Sequence, residues 1–274
     1  MLSETSDIDI EIALLLDAIY KRYHYDFRDY SQASLRRRLG QALKKLGLRT
    51  LSEIQSEILR NARAFSTLLD FLTVPVSDLF RDPAHFRAVR ERVVPVLRTY
   101  PSLKLWVAGC STGEEAYSLA IVLREEGLLE RSLIYATDIS PRSVRTAKAG
   151  VYSEDRLQKF DEAYQRAGGN GALADHYTAG YNAVTFDRSL RSRIVFSDHS
   201  LATDSVFAEV QYVSCRNVLI YFNRELQDRA IALFRDSLCR RGFLALGAKE
   251  TLRHSSHAAA FAEFAREERI YQRY

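Results

Sequence analysis

The residues of this chain whose types and spacing suit chemistry follow four short apolar runs. Leu105-Trp106-Val107 leads into Ala108-Gly109-Cys110-Ser111-Thr112-Gly113-Glu114-Glu115, and a second run ends in Ala136-Thr137-Asp138. A third ends in Ser197-Asp198-His199-Ser200-Leu201, and a fourth in Ser214-Cys215-Arg216-Asn217-Val218. Gly109 and Gly113 let the backbone turn sharply and approach a ligand closely. The helix expected after them begins with two acids, which suits the positive end of its dipole. A phosphate would want the opposite: free N–H groups with no carboxylate beside them. The G-x-G-x-x-G spacing of a dinucleotide site is also absent from the loop. Asp138 can accept two hydrogen bonds from ribose hydroxyls. The ligand these residues suit is phosphate-free, cationic and rich in hydroxyls, as S-adenosylmethionine is. For Glu114 a plain helix-starting role suffices. Asp138 as a helix cap competes with Ser140, which already fills that place.

Loops that share one crevice must follow strands of one sheet, because open α/β sheets bind ligands beyond the carboxyl ends of their strands. Apolar runs and helical periodicity predict strands at 103–108, 133–138, 193–197, 210–215 and 243–247, and helices at 114–126, 141–149 and 223–240. Ser140-Pro141 and Asn223 supply N-caps, and Gly127, Gly150 and Gly242 lie just past helix ends. Such alternation implies a mostly parallel sheet covered on both faces. The last residues, Arg269 to Tyr274, alternate apolar and charged and predict an antiparallel edge strand. Between Tyr152 and Arg193 the pattern breaks around Gly168-Gly169-Asn170-Gly171, and His176 to Phe186 is rich in Tyr, Thr and Val. That segment reads as an insertion: a helical piece, a flexible turn, then short strands.

The chain before the sheet reads as helices. Ile8, Ile12, Leu15 and Ile19 recur at helical spacing, and Leu35, Leu39, Leu43 and Leu46 mark a second helix that Gly47 stops. Tyr20 to Tyr30 reads as a turn packed by its own rings. Thr50-Leu51-Ser52-Glu53 has the form of a capping box, and Asn61 caps a fourth helix containing Phe65, Leu68, Leu69 and Leu72. Pro75 holds Thr73 to Ser77 extended. The expected division is a helical domain over 1–72 and an α/β domain over 73–274, joined by a linker at 73–82. Asp82-Pro83 reads as an N-cap with proline at the first helical position, opening a helix to about Tyr100 that Pro95 kinks.

A chain of 274 residues, 47% hydrophobic and 27% charged with 5 Pro, is globular, with room for one medium and one small domain. No apolar run is long enough to span a bilayer. The acidic, polar start from Met1 to Asp9 predicts no secretory leader. Three widely spaced cysteines predict neither a disulfide framework nor a zinc site, and the expected home is a reducing cytoplasm. His254 and His257 could share a helix face, but no carboxylate or thiol set surrounds them, so they read as surface residues and not as metal ligands. The net charge of +4 is modest, yet Ser31 to Ser52 holds no acid while Arg36, Arg37, Arg38, Lys44, Lys45 and Arg49 all fall there. On a helical wheel Arg37 and Lys44 oppose the leucines, and Arg38 and Lys45 share one flank. A solvated outer face is the alternative, but ordinary exposed helices mix signs. The cluster implies an acidic partner. A nucleic acid would need cations around the crevice, and these lie in the helical segment instead.

Four stretches carry a resemblance. Leu79-Phe80-Arg81-Asp82-Pro83, the run from Ala108 to Glu115, Ala136-Thr137-Asp138-Ile139 and the eight residues Cys215-Arg216-Asn217-Val218-Leu219-Ile220-Tyr221-Phe222 closely resemble the chemotaxis-receptor glutamate methyltransferases, the CheR family. The similarity runs from the N-terminal helices to nearly the last strand. It implies a small all-α domain followed by a Rossmann-like class I S-adenosylmethionine methyltransferase domain, with a small β-subdomain inserted at about 153–192. Arg81 is similar to an arginine that contacts the cofactor's methionyl carboxylate near the transfer site, and Ser77 stands where the family usually has a threonine, also a cofactor contact. Glu115 resembles the cofactor-contacting acid of the Gly109–Gly113 loop, and Asp138 the ribose ligand. Ser200 and Leu201 fall at the adenine side, Asn217 and Val218 match the pair after the fourth strand, and Tyr221 resembles a tyrosine near the transferred methyl.

The implied reaction is in-line displacement by a glutamate carboxylate, giving a methyl ester and S-adenosylhomocysteine. An unperturbed glutamate side chain, with a pKa of about 4.3, is already ionised near neutral pH, so no general base is needed. The absence of a Ser-His-Asp or Cys-His signature agrees with this. Arg81 and Tyr221 are the implied catalytic residues, with core packing the competing reading of Tyr221. The implied partner is an acidic helical cytoplasmic region of a chemoreceptor, steered by Arg37, Arg38, Lys44 and Lys45. In part of the family the insert also holds a peptide from the receptor's C-terminus. Departures stand at Pro75 (often asparagine), Leu79 (the first aromatic of a Phe-Phe-Arg run), Ala116 (usually proline) and Ser200 (asparagine). Pro75 loses a side-chain amide and a backbone donor. Two further readings stay open: a carboxyl methyltransferase for another acidic protein or a small acid, and a non-catalytic module that binds the cofactor or its product and signals by contact.

Overall fold

The structure, a computed structural model, describes residues 6–274. The first part of the acidic N-terminal stretch, with its expectation about a leader, therefore lies outside the described residues. Four helices come first: α1 (Asp7–Tyr23), α2 (Gln32–Leu46), α3 (Leu51–Arg60) and α4 (Ala62–Leu72). Local chemistry sets their ends. Thr50 and Glu53 form both halves of a capping box at α3. The Asn61 side chain accepts from the Arg63 N–H at α4, and Gly47 closes α2 at φ 69°. Next come α5 (Pro83–Ala88), a π turn (Val89–Val93) and α6 (Val94–Leu97). This helical run stops short of Tyr100, and the wide turn ahead of Pro95 absorbs that residue's missing donor. Asp82 takes the expected N-cap position, with Pro83 opening the helix, but its side chain does not cap. It sits at φ 58° with no capping bond, because its carboxylate is held by Arg216 at 2.8 Å.

The α/β part follows in the order β1 (Leu103–Ala108), α7 (Glu114–Glu125), β2 (Ser132–Asp138), α8 (Pro141–Ala149), β3 (Val151–Ser153), α9 (Leu157–Arg166), β4 (Tyr177–Gly180), β5 (Ala183–Phe186), α10 (Arg188–Arg191), β6 (Ile194–Asp198), β7 (Val210–Cys215), α11 (Arg224–Ser237), β8 (Leu238–Leu246), β9 (Phe261–Ala265) and β10 (Ile270–Arg273). The main sheet has the order β6-β2-β1-β7-β8-β10-β9. Its first five strands are parallel, and β10 runs antiparallel between β8 and β9. The C-terminal strand is thus antiparallel as expected but interior; the edge is β9, which its mixed pattern had hidden. Gly242 does not follow a helix end. The chain passes from α11 straight into β8, and Gly242 lies within that strand, where a Cβ would stand 2.9 Å from the Cys239 carbonyl oxygen. The inserted segment forms a second, antiparallel sheet, β3-β5-β4, which begins at Val151.

Strand order reverses between β1 and β7, which makes the end of β1 the topological switch point. One core cluster joins Ile12, Leu15, Leu39 and Leu68 of the N-terminal helices to Trp106, Val213 and Phe234 of the sheet and α11. The other joins Tyr117, Ile121 and Phe243 to Phe160 and Phe186 of the insert. The molecule is an N-terminal all-α domain followed by a Rossmann-like domain carrying a small antiparallel sheet. Among the described residues no helix is long and apolar enough to cross a membrane.

Candidate active site

A cavity of about 220 Å³ opens at the switch point, between the ends of β1, β2 and β7 on one side and α2 with the 72–81 segment on the other. Its floor begins at Gly109, whose φ is 76°. A Cβ there would fall 2.4 Å from Val218 Cγ2, so only glycine lets the two loops close on each other. Gly109 and Cys110 both donate to the Thr137 carbonyl oxygen, at 2.8 and 2.9 Å. The Asp138 carboxylate accepts from the Ser111 N–H at 2.8 Å and from the Ser140 N–H at 2.9 Å. Burial pushes its pKa above the ordinary carboxylate value, against those two bonds. Each oxygen keeps a lone pair for a further donor.

The two acids of the glycine loop part company. Glu114 is fully buried. It accepts from Thr112 at 2.7 Å and pairs with Arg156 of the insert at 2.7 Å. Arg156 also donates to the Ser77 carbonyl oxygen at 2.6 Å and to Asp78 at 3.1 Å. Glu114 is therefore more than a helix starter: it ties the glycine loop, the insert and the 73–82 segment together. Glu115 lines the cavity. It accepts from Ser214 and faces Arg216 Nη1 at 3.3 Å.

Arg216 is the hub behind this wall. Its side chain is buried, and Nη2 donates to the Arg81 carbonyl oxygen at 2.9 Å and to Asp82 at 2.8 Å. Phe80 and Asp82, on either side of Arg81, hold positive φ values of 51° and 58°. Such conformations cost of order 1–3 kcal/mol each and persist only where the surroundings fix them. Here the fixing groups are visible: the Phe80 N–H donates to Ser118 Oγ at 2.8 Å, its ring packs on Phe86 and Tyr164, and Arg216 grips the next two residues. The result aims Arg81 at the cavity.

The opposite wall comes from the helical domain. The Ser31 N–H donates to the Tyr221 carbonyl oxygen and the Asn223 N–H to that of Asp29, both at 2.8 Å. Tyr30 bridges Phe222 as an isolated antiparallel pair. These bonds bring Tyr30 and Arg38 to the cavity beside Tyr221. The Arg38 guanidinium lies 4.3 Å above the Tyr221 ring, and its Nη1 donates to the Leu72 carbonyl oxygen. Arg38 is only 3% exposed, which corrects the expectation that it belongs to an outer basic face. At Arg38 the flank it shares on the wheel is packed against Tyr221 and the end of α4. Arg37, Lys44 and Lys45 are exposed, outside the cavity.

Of the residues singled out in the sequence, Ser77, Arg81, Gly109, Glu115, Asp138, Leu201, Asn217, Val218 and Tyr221 line this one cavity. Gly113 and Ser200 do not. Gly113 packs against Ala147, which a Cβ would approach to 2.7 Å. Ser200 turns inward on its own loop: its N–H donates to Asp204 at 2.8 Å and its hydroxyl accepts from Ala202 at 3.3 Å. His199 lines the cavity in its place. Sequence reasoning also missed Tyr30, which had no motif around it, and Glu250. Glu250 is buried yet accepts from Gly247, Asn217 and Ile220 N–H groups at 2.6, 2.9 and 3.3 Å. It fixes the Asn217–Ile220 turn, with Asn217 at φ 62°; a lone acid after Gly247 was the available signal.

The donor set fits S-adenosylmethionine. Carboxylates of Glu115 and Asp138 stand where a sulfonium compound with ribose hydroxyls needs acceptors. Buried polar atoms without a protein partner gather in the same residues: Arg38 Nε and Nη2, Ser111 Oγ, His199 Nδ1, Arg216 Nε and Asn217 Oδ1. Groups of that kind are costly unless a ligand or water meets them. Among the described residues no group of three or more His, Cys, Asp or Glu side chains is placed to hold a metal ion.

Comparison with known proteins places this geometry. Residues 75–267 match the family described as "CheR methyltransferase, SAM binding domain", and residues 10–73 match "CheR methyltransferase, all-alpha domain". The chain is 56% identical to Cher3 of Pseudomonas putida over 97% of both chains. It is 28% identical to a chemotaxis protein methyltransferase of Listeria innocua, covering 83% of this chain and 84% of that one. An uncharacterized 104.1 kDa protein of Rhodobacter capsulatus is 32% identical over 83% of this chain, which spans 24% of that protein.

Proposed function

The chain belongs to the CheR family of S-adenosylmethionine-dependent methyltransferases, and from that premise we propose that it methylates glutamate side chains on the acidic helical cytoplasmic region of a chemoreceptor. When bound, S-adenosylmethionine supplies a sulfonium methyl that an acceptor carboxylate takes up by in-line displacement, leaving S-adenosylhomocysteine and a glutamate methyl ester. Asp138 accepts from the ribose hydroxyls. Glu115, held by Ser214 and Arg216, gives the cationic end of the cofactor a fixed carboxylate. Arg81, set by its two strained neighbours, meets the methionyl carboxylate. Ser77, Leu201, Asn217 and Val218 complete the envelope. No residue need remove a proton, since the acceptor glutamate is ionised near neutral pH. The work left to the protein is positioning, which in the best intramolecular cases contributes on the order of 7–11 kcal/mol.

The observation that carries this reading is the Arg38–Tyr221 stack. A buried guanidinium, 4.3 Å over a tyrosine ring, keeps Nε and Nη2 unpartnered on a cavity wall whose other side carries the two acids. Such a pair suits an incoming carboxylate, which a guanidinium fork binds through two bonds. Lys45, two turns beyond Arg38 on the same face of α2, and the exposed Arg37 and Lys44 would steer an acidic helix toward it. The outer strand β4 of the small sheet is largely exposed, so it offers a free edge for a receptor-tail peptide. The test is incubation of the protein and S-adenosylmethionine with a chemoreceptor cytoplasmic fragment, followed by mass spectrometry of the fragment. The reading expects one added methyl at discrete glutamates. A fragment left unmodified by a protein that binds the cofactor would favour the signalling-module reading instead.

A further inference from the structure

Pro75 lies in the segment between the last N-terminal helix and Arg81, and the reading above gives it no task. Its surroundings supply one. The Val76 N–H donates to the Val74 carbonyl oxygen at 2.8 Å, closing a three-residue turn with Pro75 at its centre. The proline ring holds φ near the value such an inverse γ-turn needs. Two consequences follow. Pro75 has no N–H, and that of Val76 is spent within the turn, so neither residue can offer a backbone donor to the cofactor. The turn also pushes the Val76 side chain outward. Thr73, Val74, Val76 and Ser77 all line the cavity, yet Val76 is 63% exposed, unlike the other apolar residues that line it. It stands at the rim, on the 72–81 segment that faces Arg38 and α2.

We infer that the Val74-Pro75-Val76 turn reads the acceptor: Val76 packs against an aliphatic side chain next to the reacting glutamate on an acidic helix. The inference rests on the reading above and adds a requirement to it. The acceptor must present apolar surface beside its carboxylate, because the rim offers Val76 on the same cavity that Arg38 lines. An acidic helix with only polar neighbours around the glutamate would leave Val76 in water. Burying part of one valine is worth roughly a threefold to tenfold change in affinity.

The test uses the full chain with a chemoreceptor cytoplasmic fragment as acceptor. KM for the acceptor and kcat are measured at saturating S-adenosylmethionine, and the dissociation constant of S-adenosylhomocysteine by calorimetry. Val76→Thr keeps the shape and removes the apolar contact, so acceptor KM should rise about threefold to tenfold. Val76→Asp adds repulsion from an acidic helix, and the rise should be at least tenfold. Val76→Ile keeps the apolar contact, so its acceptor KM should stay below those of the Thr and Asp variants, and S-adenosylhomocysteine should bind all four proteins within twofold. An unchanged acceptor KM in the Asp and Thr variants would overturn the inference while leaving the transfer reading intact. So would a loss of S-adenosylhomocysteine affinity in parallel with KM, which would make Val76 a cofactor contact. Failure of the wild type to transfer at all would overturn the transfer reading, and the inference with it.

Discussion

At the scale of single residues, Asp138 is half-buried, and desolvation raises its pKa above 3.8. A carboxylate with a raised folded pKa adds stability that is present at low pH and lost as pH rises through that folded value. On the proposed reading, the ionised form is the one that would accept from ribose. S-adenosylhomocysteine affinity should therefore weaken as pH falls through a range above 3.8, while this group's contribution to apo-protein stability rises over the same range. Calorimetric titrations across pH check this: Asp138→Asn should bind about tenfold to a hundredfold more weakly at neutral pH and lose that part of the pH dependence. Arg38 gives a second prediction. Arg38→Lys keeps the charge but loses the planar fork over Tyr221, so kcat should fall about tenfold or more with S-adenosylhomocysteine affinity little changed. The residues that follow strands were legible, since apolar runs and glycines announce them. Arg38 was not: a wheel shows which residues share a flank, not which flank another domain will cover. Ser200 was assigned by position in a motif, and its short side chain is satisfied locally instead of reaching the cavity.

At the scale of elements, end signals were the most legible feature and strain the least. The capping box of α3 and the glycine stops of α2 and α8 are where the sequence puts them. Thr50→Ala should cost about 1 kcal/mol by denaturant titration and leave cofactor affinity alone, because α3 lies outside the cavity. Asp82-Pro83 carried an N-cap signal too, yet a distant arginine claimed the aspartate. Only the fold brings Arg216 there. Besides Glu114, a second acid pins the insert. Glu125 accepts from Tyr164, Arg90 and His176. Burial pushes Glu125 up, but the hydrogen bonds from His176 and Tyr164 and the Arg90 guanidinium outweigh it and hold the acid below 4.5. A depressed carboxylate contributes stability above its unfolded pKa and loses it as pH falls through the folded one. Glu125→Ala should thus cost about 3–5 kcal/mol at neutral pH, with the gap to wild type closing on acidification below 4.5. An equal gap at all pH values would contradict that role for Glu125.

At the scale of the molecule, the helical domain supplies one wall of the cavity, through Tyr30 and Arg38. The sequence divided the chain at a proline, and composition alone reveals no coupling across it. The coupling lies in the backbone bonds from Asp29–Ser31 to Tyr221–Asn223, the Arg142–Asp70 pair, and a core that runs from Ile12 to Phe234. Thermal unfolding should be one cooperative transition whose midpoint rises with S-adenosylhomocysteine. Two separate transitions, with only the later one moved by ligand, would refute the shared wall. On the proposed reading, Arg38 would serve the transfer step from the same helix whose exposed cations steer the acceptor. The claim on which all of this depends is methyl transfer to a carboxylate, and the product's chemistry tests it most directly. After incubation with methyl-labelled S-adenosylmethionine and a chemoreceptor cytoplasmic fragment, the labelled protein is treated with mild base. Glutamate methyl esters release the label as volatile methanol, the predicted result; a base-stable label, or none on the fragment, would contradict it.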